Sequence, residues 1–331
     1  MLHQHLPYLI PRLVTFGRHA VNLCYQMLHP VELGLYRLRV LVDRKSNLED
    51  RPTRPVYRRL GGRRLPLLIH YHIFKNAGTS FEWALQRVFG DDYRAFDSST
   101  PGGSISRRDI IKLLFRHPHL LAVSSHQAAP PAPRIRGRQV LTSILIRDPI
   151  ARIRSIYAFE RAQDASTPGA LKAKELSFKD YVEWRLKTAP AMLCNYQVHF
   201  CTRSPKGSAR PPDRARLEAA IANLDVIDIV GTVARYNEWI TLAENILATA
   251  FPGTTLLSAR RNTTAQASLP EVEIFEQLVT ELGEETARYL VENNQLDMCL
   301  YQVADALLTR RLAERGVRLQ LLQAYTAAQK I

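Results

Sequence analysis

Along residues 67–315, apolar runs of strand length alternate with segments whose apolar positions recur every three or four residues. Leu67 to Phe74 is the first run, and it stops at the polar stretch Lys75-Asn76-Ala77-Gly78-Thr79-Ser80. Beyond it Phe81, Ala84, Leu85 and Val88 fall on one helical face, which predicts a helix over 81–89. A helix over 106–116 leads into a second strand, Leu120 to His126. The Pro- and Arg-rich loop 127–138 precedes a third strand over 139–146. Pro149 opens a helix reaching Gln163, at the first position where proline is favoured. Helices near 177–187, 213–223 and 234–250 surround a fourth strand, Val226 to Gly231. A fifth strand is predicted over Thr254 to Leu257, and 270–315 reads as helical. Strands alternating with helices predict an α/β fold of three layers: a mainly parallel central sheet with helices on both faces.

The first 66 residues lie outside this alternation. They hold twelve Lys and Arg against four Asp and Glu, so +8 of the chain's formal +14 is concentrated there. Glu32 to Val42 has the pattern of a short amphipathic helix, and 43–66 reads as a basic, Pro-containing connector. The chain thus divides into a basic helical segment and connector over 1–66 and a main domain over 67–331. The basic segment reads as a solvated linker, or else as an arm for an acidic polymer or membrane surface.

Composition narrows the class. With 331 residues and 46% apolar content, the chain can bury a sizeable core, which excludes collagenous and wholly disordered readings. Only nine of its 45 basic residues are Lys. The Arg excess suits anionic ligands, because the guanidinium fork matches phosphate, sulfate and carboxylate; genomic base composition would produce the same bias. Cys24, Cys194, Cys201 and Cys299 form no C-x-x-C pair, and a reducing compartment fits them better than a disulfide framework. No run of eighteen apolar residues occurs, so a soluble, cytoplasmic protein without a transmembrane segment is expected.

Two loops carry candidate chemistry, each at the end of a strand entering a helix. At 75–80, the backbone N–H groups of Gly78, Thr79 and Ser80 would face an anion at the helix N-terminus, with Lys75 adding a full charge. The loop is P-loop-like without being a Walker A sequence, because Lys75 precedes the glycine. The spacing Thr79-x-x-Glu82 equally fits a capping box that only starts a helix. At Arg147-Asp148-Pro149, a cation leaves the sheet at the edge where α/β folds bind ligands, with Ser155 two turns into the next helix. That pair suits a second phosphate, or else an Arg–Asp surface pair beside a helix-facing serine.

The block His72-Ile73-Phe74-Lys75-Asn76-Ala77-Gly78-Thr79-Ser80-Phe81 resembles the 5′-phosphosulfate loop of sulfotransferases. Arg147 to Tyr157 is similar to their 3′-phosphate motif, R-D-P-x-x-R-x-x-S-x-Y. Weaker echoes follow in order: Asn195-Tyr196-Gln197, Asn262-Thr263-Thr264, and Asn293 to Tyr301. The resemblance covers about 67–305 and points to the carbohydrate family that includes heparan sulfate 2-O-sulfotransferases, in a soluble, bacterial-type form. Two departures stand out: Phe74 replaces the usual proline, and no basic residue directly follows the Asn262 loop.

The resemblance implies a donor, 3′-phosphoadenosine-5′-phosphosulfate (PAPS), and transfer of its sulfuryl group to an acceptor hydroxyl, with a saccharide the leading acceptor. Lys75 would answer charge on the bridging oxygen. Asn76, Ala77, Gly78, Thr79 and Ser80 would hold the 5′-phosphate, and Arg147 and Ser155 the 3′-phosphate. This scheme needs no metal and no nucleic-acid partner. His126, where the family often has Gly-His, is the first candidate for the base and Glu82 the second. His70 and His72 read as packing or polar-network residues. His117, His119 and His199 lack ligand spacing, and Trp83, Trp184 and Trp239 read as core. The competing classes are an ATP-using kinase or NTPase, which would want G-K-[ST], and a non-catalytic nucleotide or anion binder.

Overall fold

In the computed structural model, which describes residues 66–99, 103–203, 212–254, 256 and 271–316, the first apolar run becomes the central strand of a sheet. This strand, β1 (Leu67–Tyr71), lies between β3 (Ala122–Ser125) and β4 (Val140–Ile146). The short β2 (Tyr93–Ala95) and β5 (Ile229–Thr232) form the edges, in the order β2-β3-β1-β4-β5. All four pairings are parallel. Every residue of β1 is buried, as a strand covered on both faces requires. Leu68 joins Phe81, Leu85 and Trp239 on one side. Leu67, Ile69 and Tyr71 join Val123, Ile144 and Phe200 on the other. The three-layer α/β fold expected from the alternation is the fold observed.

The helices are α1 (Gly78–Phe89), α2 (Arg107–Arg116), α3 (Pro149–Ala162), α4 (Pro168–Glu175), α5 (Phe178–Thr188) and α6 (Tyr196–Thr202). After them come α7 (Arg214–Asp225), α8 (Tyr236–Ala250), α9 (Glu271–Leu282), α10 (Glu284–Glu292) and α11 (Gln295–Glu314). Several begin on side-chain caps of the expected kind. Ser106 and Asp109 form a reciprocal capping box at α2, and the Asp148 carboxylate accepts the Ala151 N–H at 2.7 Å to start α3. Asp148 is therefore a helix cap and not the partner of an Arg147 surface pair.

The sequence-based outline departs from the structure in several places. β1 stops at Tyr71, and α1 starts three residues earlier than its apolar spacing suggests. Thr254 and Leu256, placed in a fifth strand, are in no strand; the fifth strand is β2, whose three residues are too few to display a period. The short helices α4 and α6 were not anticipated. Trp239 is core, as expected, whereas Trp83 and Trp184 are half-buried beneath the guanidinium groups of Arg87 and Arg185. The amphipathic stretch 32–42, the connector 43–65 and the Asn262 loop lie outside the described residues. Among the described residues, no helix is long and apolar enough to cross a membrane, and Cys194, Cys201 and Cys299 are free thiols.

A third core, under α3, α4 and α5, contains a buried ion pair. Arg185 Nη2 lies 2.5 and 2.6 Å from the two Glu160 carboxylate oxygens, and the Tyr181 hydroxyl donates to Glu160 at 2.5 Å. Gly169 packs directly on this pair: a Cβ there would sit 2.0 Å from Arg185 Nη2. The small residue lets α4 close over two charges that satisfy each other.

Candidate functional site

The C-terminal ends of β1, β3 and β4 deliver three loops to one edge of the sheet, and their neighbourhood follows from the strand order. From β1 come His72 and the 75–80 loop, from β3 comes His126, and from β4 comes Arg147.

The 75–80 loop owes its shape to two non-glycine residues in left-handed conformation, Lys75 (φ 65°) and Ala77 (φ 59°, ψ 14°). Such residues cost about 1 kcal/mol or more each and persist where the surroundings fix them. Here the surroundings are visible. Asn76 is buried, its N–H donates to Ile73 O at 3.1 Å, and its Nδ2 donates to Leu145 O at 2.8 Å and to Gln197 Oε1 at 2.7 Å. Asn76 is thus committed inside the protein and shapes the loop. Ala77, Thr79 and Ser80 are half-buried, and Gly78 is buried. The N-terminus of α1 has no side-chain cap and no acidic residue in its first turn. Its leading N–H groups are the ones a helix leaves without intrahelical acceptors.

The capping box foreseen between Thr79 and Glu82 does not form. Glu82 turns inward instead: its carboxylate lies 3.0 Å from His72 Nδ1 and accepts a short hydrogen bond from the Ser124 hydroxyl. Tyr93 OH bonds Ser124 Oγ at 2.7 Å, extending the network to the sheet edge. Burial alone would push the Glu82 carboxyl up. The charge and hydrogen bond of His72, the charge of His126 and the Ser124 hydroxyl outweigh it and hold the group well below the usual carboxylate range. His70, opposite both Ser124 and Ser143, shares a 3.0 Å hydrogen bond with Ser143 Oγ, and burial drives its pKa down to about 3. It is a neutral network residue, as its alternation in the strand suggested.

His72 and His126 stack, with ring centroids 3.8 Å apart and planes inclined by 32°. His126 Nδ1 donates to the His72 carbonyl at 3.1 Å. A carbonyl can only accept, so in the neutral ring the proton sits on Nδ1 and the lone pair on Nε2. Ligand-type atoms of His72, Glu82 and His126 lie within 4.8 Å of one another, a grouping of metal-binding residue types that sequence spacing did not reveal. As placed, the carboxylate is engaged by His72 Nδ1 and Ser124, and the two rings stack on each other, so the three form a hydrogen-bonded network.

Gly78 makes this packing possible. A Cβ there would meet His72 Cδ2 at 2.2 Å and Nε2 at 2.4 Å. Gly78→Ala should therefore cost about 1–3 kcal/mol, the range for overpacking a filled interior, and chemical denaturation should register it. An unchanged midpoint would mean that the His72 ring has room to move.

On the β4 side, Arg147 is half-buried and donates through Nη1 to Lys75 O at 2.9 Å. Burial, and then the charge of Arg152, lower its pKa from the ordinary arginine value; it remains a cation. Lys75 Nζ stands 3.9 Å over the Phe159 ring of α3, a cation–π contact at the loop's rim. Ser155 is half-buried on α3, eight residues beyond Arg147. The middle arginine of the second motif, Arg152, is committed to backbone carbonyls inside the protein. Fully buried, it donates to Phe74 O at 3.1 Å and Met192 O at 2.8 Å and lies over Tyr196.

Sequence reasoning treated Asn195-Tyr196-Gln197 and the 293–301 segment as remote echoes. The structure joins them. Asn195 N donates to Asn294 Oδ1 at 3.0 Å, and Asp297 N donates to Asn195 Oδ1 at 3.1 Å. Asp297, fully buried, accepts the N–H groups of Gln197 and Val198 at 2.9 and 2.8 Å.

No family model matches the chain. It is similar to an uncharacterized protein of Archaeoglobus fulgidus, 28% identical over 240 residues, which cover 71% of this chain and 94% of the archaeal one.

Proposed function

We propose that the chain is a PAPS-dependent sulfotransferase that moves a sulfuryl group to the hydroxyl of an acceptor, with a saccharide the leading candidate. The observation that carries this reading is the joining of two cationic loops on adjacent parallel strands, Arg147 bonded to the Lys75 carbonyl. An uncapped helix start free of acidic residues stands beside them. That donor set suits two anionic groups on one ligand.

When bound, PAPS would supply an activated sulfuryl group. The N–H groups of Gly78, Thr79 and Ser80 would hold its 5′-phosphate and Lys75 would answer charge at the leaving oxygen. Arg147 and Ser155 would hold the 3′-phosphate. Transfer of this kind demands alignment and charge stabilisation more than covalent participation by the protein. His126 is the base in this scheme, its Nε2 lone pair set by the Nδ1 bond to His72 O. Glu82 is the weaker candidate, because its carboxylate is engaged by His72 Nδ1 and the Ser124 hydroxyl. It serves as the anionic support of the imidazole pair. A cytoplasmic, soluble setting is part of the same proposal.

The deciding experiment is nucleotide binding. Adenosine 3′,5′-bisphosphate should bind more tightly than adenosine 5′-monophosphate, and Arg147→Ala should remove roughly 1.5–3 kcal/mol of that preference. Equal affinity in the wild type would sink the donor assignment. Tighter binding of ATP than of the bisphosphate would favour the kinase reading. Tight bisphosphate binding without sulfate transfer to any acceptor would favour a non-catalytic binder.

A further inference from the structure

We infer that Gln197 is a positioning residue that locks the two cationic loops into one register, so that a ligand bridging them is gripped by both at once. Its ligand rests on the two-phosphate reading above; its mechanism rests on hydrogen bonds within the chain. Gln197 is fully buried at the start of α6, and its amide touches both loops. Oε1 accepts from Asn76 Nδ2 at 2.7 Å, on the β1 side, and from the Arg147 N–H at 2.9 Å, on the β4 side. Nε2 donates to Arg147 O at 2.7 Å and approaches Asp297 Oδ2 at 3.4 Å. One planar group thus uses its acceptor oxygen and one N–H to fix the backbone N–H and carbonyl of Arg147 relative to Asn76, with Nε2 also approaching Asp297.

The amide is itself held from behind. Asp297 accepts the backbone N–H of Gln197, Asn195 N donates to Asn294 Oδ1 and Asp297 N donates to Asn195 Oδ1, which pins the start of α6 to the start of α11. The order of support runs from α11 to α6 to both loops. Two anion sites at fixed separation give a bisphosphate a chelate advantage; two sites free to drift give it little beyond one phosphate. A glutamate at 197 would lose the donor to Arg147 O, and an apolar residue would lose every bond. Gln meets all the partners at once.

The test compares the wild type with Gln197→Leu and Asn76→Ala in the full chain. Affinities are measured for adenosine 3′,5′-bisphosphate and for the 3′- and 5′-monophosphates. Amide hydrogen exchange is followed in segments 75–80 and 147–151 of the free protein. Gln197→Leu should weaken the bisphosphate by about tenfold or more while each monophosphate changes by less than about threefold. Exchange should rise in both segments together. Asn76→Ala, which cuts one arm and also loosens the loop that Asn76 shapes, is read by exchange alone: it should raise exchange at 147–151 with smaller amplitude and decides the matter should the leucine variant fail to fold. Retained bisphosphate preference with exchange unchanged at 147–151 would overturn the inference. So would equal loss of all three ligands, or loosening confined to one loop. A wild type with no bisphosphate preference would defeat the sulfotransferase reading, and the exchange data would still decide whether Gln197 couples the loops.

Discussion

Replacing His126 with alanine should cost at least about a hundredfold in kcat, within the 10²–10⁴ that general-base removal typically costs. Adenosine 3′,5′-bisphosphate affinity should stay near that of the wild type, since His126 belongs to β3's loop and its Nδ1 bonds His72 O. Steady-state rates, with nucleotide titrations on the same variant, check both halves. Nearly full activity in His126→Ala would overturn the assignment. Glu82→Gln is not a clean counter-test, because the Glu82 carboxylate lies 3.0 Å from His72 Nδ1 and its loss would act by displacing that ring.

Glu160→Ala should destabilise the fold by about 3–5 kcal/mol, the range for stripping one partner from a buried ion pair. The Arg185 guanidinium is fully buried, and its Nη2 bonds both carboxylate oxygens of Glu160. Removing the carboxylate takes away the anion that answers this charge, while Nε keeps its 2.9 Å bond to the Tyr181 hydroxyl. Urea denaturation of the single variant reads the cost. A double change of Glu160 and Arg185 to apolar residues of similar size should recover much of it, since an apolar pair can replace a buried ion pair at little cost. A single-variant loss below about 1 kcal/mol would show that another group answers the charge.

What could be read in the sequence was local. β1, β3 and β4 announce themselves because strands buried on both faces are continuously apolar, and Lys75 to Ser80 and Arg147 to Ser155 are short motifs within single loops. The hidden part is tertiary. Thr79-x-x-Glu82 has capping-box spacing, but Ala77 enters the helix left-handed and Glu82 faces His72 and Ser124 across the sheet. His72 and His126 are 54 residues apart, so nothing in spacing reveals that their rings stack. One signal was available: two histidines on alternate positions of an apolar run, His70 within β1 and His72 just past its end, both buried. Polar side chains there need partners. Gln197 and Asp297 gave no local sign of their role, because each earns it through contacts roughly 50 to 120 residues away.

The central place of β1 bears on how the chain folds. Its neighbours in the sheet come from later in the sequence, with Leu68 beside Ala122 on one flank and Leu141 on the other. Closing such loops costs entropy before any pairing repays it, so strands joined this way form slowly compared with local helices. A nascent chain that has not yet added β4 lacks one of the two cationic loops and one wall of β1. Until that strand arrives, His70, which bonds Ser143, has no partner there, and a half-built sheet would expose an apolar edge to other chains. The pairing of β4 with β1 therefore both brings the two cationic loops together and covers that flank of the central strand.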